Sequence, residues 1–144
     1  MNDQTTRDHA LPGWFIAVAV VALLFEAFGS FMYISQVTAD YAALPLDQRA
    51  LWDATPTWMI AAYAIAVWTG LAGAVLLLMR RKLAVPALLV SLIAVIVQSS
   101  GLFLVAQLRQ TVPDTALVAP IALIVCCYLI FLFARLAGKR GWLR

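Results

Sequence analysis

Long apolar runs separated by short polar breaks recur four times along the chain. The first extends from Trp14 to Ile34 and is interrupted only by Glu26 and the small residues Gly29 and Ser30. At 1.5 Å per residue, a helix of this length crosses about 30 Å of hydrocarbon. The second run, Trp58 to Met79, is stopped by Arg80, Arg81 and Lys82. The third covers Leu83 to Gln107, with Pro86 in its first turn, where a missing N–H costs nothing. The fourth starts between Val112 and Ala116 and ends before Lys139 and Arg140. The pattern predicts an all-α integral membrane protein with four antiparallel transmembrane helices at about 14–34, 58–79, 83–107 and 114–137. They form one domain, 14–137, between a polar leader, 1–13, and a basic segment, 138–144.

Gln36 to Thr57 is the only long connection. Within it Pro45 to Trp52 predicts a short amphipathic helix at the membrane interface, with Tyr41 and Trp52 suited to headgroup level. The first run exceeds the length of a signal-peptide core, and its flank mixes Asp3 and Asp8 with Arg7. No pair of small residues suits cleavage between Ser35 and Tyr41, so the segment is expected to be retained. The two halves share no motif and differ in loop length, which argues against an internal repeat.

Composition strengthens this reading. The chain is 65% apolar and 12% charged, against about half and a quarter in soluble domains. One small soluble core cannot hide that much apolar surface. The net charge of +3 does not imply a nucleic-acid partner, because the ten basic residues flank the apolar runs instead of forming a patch with aromatics. Arg7, Arg80, Arg81, Lys82, Arg135, Lys139, Arg140 and Arg144 fall on one side, Arg49 and Arg109 on the other. The positive-inside rule then predicts both termini in the cytoplasm and the long loop, with Asp40, Asp47 and Asp53, outside. Arg135 is expected to snorkel to the phosphates.

Candidate chemistry is sparse. Cys126 and Cys127 are neighbours on a helix, about 100° apart, and read as small apolar residues. His9 has no companions at metal-ligand spacing. No His cluster, paired carboxylate or nucleophile with a base suggests an enzyme, a cofactor or a metal site. Glu26 stands out, because an ionised carboxylate in hydrocarbon costs about 2.5–3.5 kcal/mol on insertion scales. It lies about 18 Å along the first helix, near the midplane, and Thr69, Gln98 and Tyr128 reach a similar depth in the other three. These four residues define a candidate intramembrane site in which Glu26, protonated or hydrogen-bonded to Gln98 or Tyr128, binds a solute or a coupling proton. The alternative is a neutral acid that merely bonds neighbouring helices together.

Ala62, Ala66, Gly70 and Ala74, with Gly73 beside them, form a small-residue stripe that predicts close helix packing, within the chain or against a second copy. Gln98, Ser99, Ser100 and Gly101 form a weakly apolar patch that predicts a bend in the third helix.

The run Trp58, Ala62, Tyr63 to Trp68, Thr69, Gly70, Leu71, Ala72, Gly73, followed by Leu76 to Met79, Arg80, Arg81, Lys82, Leu83, Ala84, Val85 and Pro86, resembles a small bacterial four-helix family. Many of its members carry the name "sugar transporter", and the similarity covers the whole chain. The resemblance implies a bacterial inner-membrane protein handling a small solute, a sugar by name only. Where that family often has an Asn followed by Gly and Asp in its first helix, this chain has Glu26, Gly29 and Met32. Trp68 beside Thr69 is the nearest pairing to a sugar-stacking site. Glu26 to Ser30 is also similar to the small multidrug resistance transporters, but the long loop, the extra length and a Tyr63 to Gly70 run in the second helix depart from that family. The expected function is thus transporter-like, with the lipid bilayer as environment and a small molecule as solute. A homo-oligomer is implied, because four helices rarely enclose an alternating-access cavity alone. The alternative is a non-catalytic accessory or scaffold subunit of a membrane complex.

Overall fold

A computed structural model describes residues 11–144. His9, Arg7 and most of the polar leader therefore lie outside the described residues. Six α-helices follow one another: α1 (Gly13–Val37), α2 (Leu46–Ala54), α3 (Thr57–Leu78), α4 (Ala84–Leu104), α5 (Ala106–Thr111) and α6 (Val118–Lys139). Helices α1, α3, α4 and α6, the last extended backwards by a 3-10 turn over Asp114–Leu117, are long and apolar enough to cross a membrane.

The six prolines explain where the helices begin. Pro12, Pro45 and Pro56 immediately precede α1, α2 and α3, and Pro113 precedes the turn that leads into α6. Pro86 and Pro120 sit in the first turns of α4 and α6. A fixed φ and a missing N–H are harmless at these positions and disruptive further in.

The ends of α3 and α6 are capped alike. Arg80 has φ 61° and Gly141 φ 71°; Arg81 N donates to Leu76 O at 2.8 Å and Trp142 N to Ala137 O at 3.0 Å, satisfying carbonyls of the last turn.

Helices α3 and α4 form the central hairpin, α1 packs on α3, and α6 packs on α4. Phe15, Ala19, Ala22, Glu26 and Ser30 are the buried positions of α1. Their spacing of four, three, four and four residues follows one face of a helix, so the acid lies on the packed stripe by periodicity alone. All five residues of the α3 stripe, Ala62, Ala66, Gly70, Gly73 and Ala74, are buried within this chain. A Cβ at Gly73 would lie 2.7 Å from Leu88 Cγ and 3.2 Å from its backbone nitrogen, so the absence of a side chain lets α3 and α4 touch. Helix α6 is embedded least, with Cys127, Ala134 and Ala137 its only buried residues. Phe28, Phe31, Leu24 and Val21 of α1 are exposed, the arrangement expected where the surrounding medium is lipid.

Phe15, Ala19, Leu77, Ala84, Leu88, Ala134, Ala137, Trp142 and Leu143 form a closed core at one end. Trp142 meets Phe15 edge-on with ring centroids 5.7 Å apart, and Phe133 lies 5.4 Å from Phe15. The basic segment 138–144 is therefore docked as well as charged. Lys82 N donates to Arg144 O at 2.9 Å, Arg144 N to Arg80 O at 2.5 Å, and Arg80 Nε to Trp142 O at 3.0 Å.

Two helix ends fall three residues from expectation. Helix α1 continues to Val37, beyond Ile34. Helix α4 stops at Leu104 rather than Gln107, because Val105 turns extended (φ −96°, ψ 103°) and the polar stretch from Gln107 to Gln110 folds as the separate helix α5, with Leu108 tucked inward. Helix α4 stays helical across the Gln98 to Gly101 patch. Gly101 is a seat for Met59, whose Cε would lie 2.6 Å from an added Cβ.

Candidate functional site

Glu26 is 6% exposed at the middle of α1. One turn on, Ser30 Oγ donates to Glu26 O at 3.0 Å and also reaches Val67 O of α3 at 3.4 Å. The Glu26 carboxyl projects onto the bare backbone of Gly70. A Cβ there would overlap Glu26 Oε2 and lie 2.7 Å from its Cδ and 2.8 Å from Ser91 Oγ. Gly70 is thus a cradle for the acid, and the small-residue stripe and the candidate site are one structure.

Ser91 of α4 closes the other side. Its hydroxyl donates to Ala66 O at 2.7 Å, linking α4 to α3 beside the carboxyl. Gln98 lies seven residues further along the same face of α4, and its Oε1 is buried without a hydrogen-bond partner. Among the described residues no protein donor reaches the Glu26 carboxylate, and the single ion pair, Arg109 with Asp114, is at the far loops.

Glu26, Ser91 and Gln98 line a cavity of about 260 Å³ together with Phe25, Tyr63 and Cys127. Tyr63, Gln98 and Met32 also line a larger cavity of about 670 Å³ at the loop end, whose walls include Ser35, Gln48 and Trp52. The chamber and this loop-end vestibule are neighbours, with Met32, Tyr63 and Gln98 lining both. Toward the opposite end the packed Phe15–Leu77–Trp142 core closes the way.

The vestibule is roofed by the connection between α1 and α3. Tyr41 Oη donates to Asp53 Oδ2 at 2.8 Å, and Asp40 Oδ1 accepts from Ala42 N at 3.0 Å. Arg49 Nε donates to Leu44 O at 2.8 Å, a second guanidinium nitrogen bonds Ala42 O, and the group stands over the Tyr41 ring, 5.6 Å from its centroid. The hydrogen bond to Asp53 and the adjacent negative charge raise the Tyr41 pKa above its ordinary value. These bonds staple the roof to itself, while α2 leans on α5.

Two of the four residues placed at one depth by helical rise, Glu26 and Gln98, line the same cavity. Thr69 does not: its hydroxyl donates to Ile65 O of its own helix at 2.5 Å. Tyr128 points outward and is 48% exposed, while its neighbour Cys127 faces the chamber. Trp68 is exposed as well, so the Trp68–Thr69 pairing builds no stacking site. Ser91 and Tyr63 belong to the site and were not singled out as polar partners from sequence. Their signal is periodic, since Ser91 and Gln98 are two turns apart and Tyr63 is seven residues before Gly70.

The fold and the site together define an all-helical chain with four helices of membrane-crossing length and apolarity around one buried acid. Comparison with family models, curated proteins and solved structures finds no match to this chain.

Proposed function

We propose that this chain is a small multi-pass transporter of the bacterial inner membrane, binding a small solute at Glu26. The observation that carries the reading is that Glu26 lines a cavity whose wall residues Met32, Tyr63 and Gln98 also line the loop-end vestibule. An acid that served only to hold helices together would sit in a closed contact with a donor from a neighbouring helix, whereas Glu26 lines a cavity and, among the described residues, no protein donor reaches its carboxyl. The positive-inside rule puts the end bearing Arg80, Arg81, Lys82, Lys139 and Arg140 in the cytoplasm, so both termini are inside and the vestibule faces outward. The bacterial inner membrane follows from the family resemblance. Alternating access then requires the open face of α6 to be completed by a second copy.

A second reading, a non-catalytic accessory or scaffold subunit, is favoured by that same sparsely packed α6. Thermal unfolding of the purified protein in detergent separates the two. Sugars, inorganic cations and organic amines are screened against the wild type and Glu26→Gln. Saturable stabilisation by a solute, lost in Glu26→Gln, supports transport. No stabilisation by any solute, with equal stability of the two proteins, overturns it in favour of the accessory role.

A further inference from the structure

Helices α1 and α6 pack on different partners, α1 on α3 and α6 on α4, and a cleft of about 250 Å³ is left between them. Val18, Val21 and Phe25 line one wall; Cys126, Leu129 and Phe133 line the other. Each set covers seven residues of rise at helical spacing, so the cleft runs along the helices for about 10 Å. No charged or hydroxyl-bearing side chain lines it. In hydrocarbon surroundings such a wall offers nothing to a polar solute, and what complements it is a chain of methylenes.

The cleft leads to a cation. Continuing the α6 face from Phe133 by two turns passes the small, buried Ala137 and reaches Arg140 at the end of the helix. The Arg140 guanidinium stands over the Trp142 ring, 5.2 Å from its centroid, and Trp142 meets the half-exposed Trp14 edge-on at 5.5 Å. Trp14 lies one turn before Val18 on α1 and also touches Phe133, with ring centroids 5.8 Å apart. From midplane to basic end the order is hydrocarbon cleft, paired indoles, arginine. This is the order of acyl chain, glycerol region and phosphate in a phospholipid. Charge then selects the headgroup. Arg80, Arg81, Lys82, Arg135, Lys139, Arg140 and Arg144 gather at this end with no Asp or Glu among the described residues, and the single ion pair lies at the far loops. Such a cluster complements a headgroup of net negative charge, whereas a zwitterionic one brings a cation of its own. We infer that the α1–α6 cleft is a binding site for an anionic phospholipid. One acyl chain lies between Val18 and Phe133, and the phosphate rests on Arg140, whose planar fork suits it.

The full chain in detergent is titrated with phosphatidylglycerol and with phosphatidylcholine of the same acyl chains, and retained lipid is counted by native mass spectrometry. One phosphatidylglycerol binds about tenfold or more tighter than phosphatidylcholine, the equivalent of one charge-assisted hydrogen bond. Arg140→Gln removes that preference. Arg135→Gln, an equal loss of charge on the side of α6 opposite Phe133, keeps it. Val18→Trp fills the cleft from a position already exposed to the surroundings and weakens both lipids. Equal retention of the two lipids by the unsubstituted protein overturns the anionic site, independently of whether any variant folds. An equal drop in Arg135→Gln and Arg140→Gln overturns Arg140 as the seat of the phosphate, and unaltered binding in Val18→Trp overturns the cleft as the seat of the chain. Cys126 is exposed in the same cleft. Oxidation in a bilayer that joins two chains through Cys126, with no lipid retained, puts a second copy in the cleft and overturns the lipid.

Discussion

Replacing Gly70 with alanine places a methyl group where the Glu26 carboxyl now rests. The added Cβ would lie 2.7 Å from Glu26 Cδ and 2.8 Å from Ser91 Oγ, both well inside van der Waals contact. Overpacking of this kind costs about 1–3 kcal/mol, while alanine regains about 0.5–1 kcal/mol of helix propensity over glycine. Gly70→Ala is therefore expected to lose up to about 2.5 kcal/mol in the wild-type background. Removing the acid first, with Glu26→Ala, removes the two closest contacts, those of Glu26 Oε2 and Cδ, and leaves only Ser91 Oγ at 2.8 Å. The cost of the methyl falls, and the double-mutant cycle yields a coupling energy of about 1–3 kcal/mol. SDS titration of the four proteins in mixed micelles measures each corner of the cycle. An equal cost of Gly70→Ala in both backgrounds, within about 0.5 kcal/mol, would refute the cradle and leave Gly70 as an ordinary packing residue.

Ser91→Ala deletes the 2.7 Å bond from α4 to Ala66 O and is expected to cost about 0.6–1.7 kcal/mol in the same titration; an unchanged midpoint would show that the bond contributes nothing. Arg80→Ala is expected to be less stable than Arg80→Gly by about 1 kcal/mol, since both lose the bond to Trp142 O but only alanine keeps a Cβ at φ 61°. Amide exchange at Lys82 and Arg144 reports it, and the reverse order of stability would count against the left-handed cap. Tyr41 is expected to ionise above the pH of an ordinary tyrosine, because its hydroxyl donates to Asp53. A raised pKa stabilises the neutral phenol, so the contact is complete below the ordinary tyrosine pKa and is lost as pH rises through the elevated one. Ultraviolet titration of wild type against Asp53→Asn measures the difference, and identical Tyr41 titrations in the two would disprove the contact.

Much of the fold is legible because apolar runs bounded by Pro and by Arg or Lys encode spans directly. The short helix over Leu46–Ala54 was readable for the same reason, from the Pro45 start and the mixed face that follows. Glu26 was legible as a site because a lone acid in hydrocarbon is costly. Its partners were only half legible: the rise along a helix gives depth, but the direction in which a side chain points needs a dominant polar face, and α6 has apolar residues all round. That is why Tyr128 shares the depth of Glu26 yet faces outward, while Cys127 faces in. Thr69 failed for another reason, since a hydroxyl inside a helix can be satisfied by its own backbone. The seating of Met59 on Gly101 was not legible, because it depends on which residue of α3 lies across the helix pair. The docking of Trp142 and Leu143 hung on Gly141, whose positive φ turns the chain back toward the core.

The chain is packed unevenly from end to end, and this has an electrical meaning. Between Phe15 and Glu26, about 16 Å along α1, Leu77, Leu88 and Trp142 pack the centre and an apolar cleft of about 250 Å³ runs between α1 and α6, whereas beyond Glu26 the cavities have polar residues in their walls. On the transport reading proposed above, a transmembrane voltage would drop mainly across the packed end, and a charged solute moving from Glu26 toward the basic end would cross most of it, about 2.3 kcal/mol for each 100 mV. On that reading, release rather than capture is the step that voltage would drive.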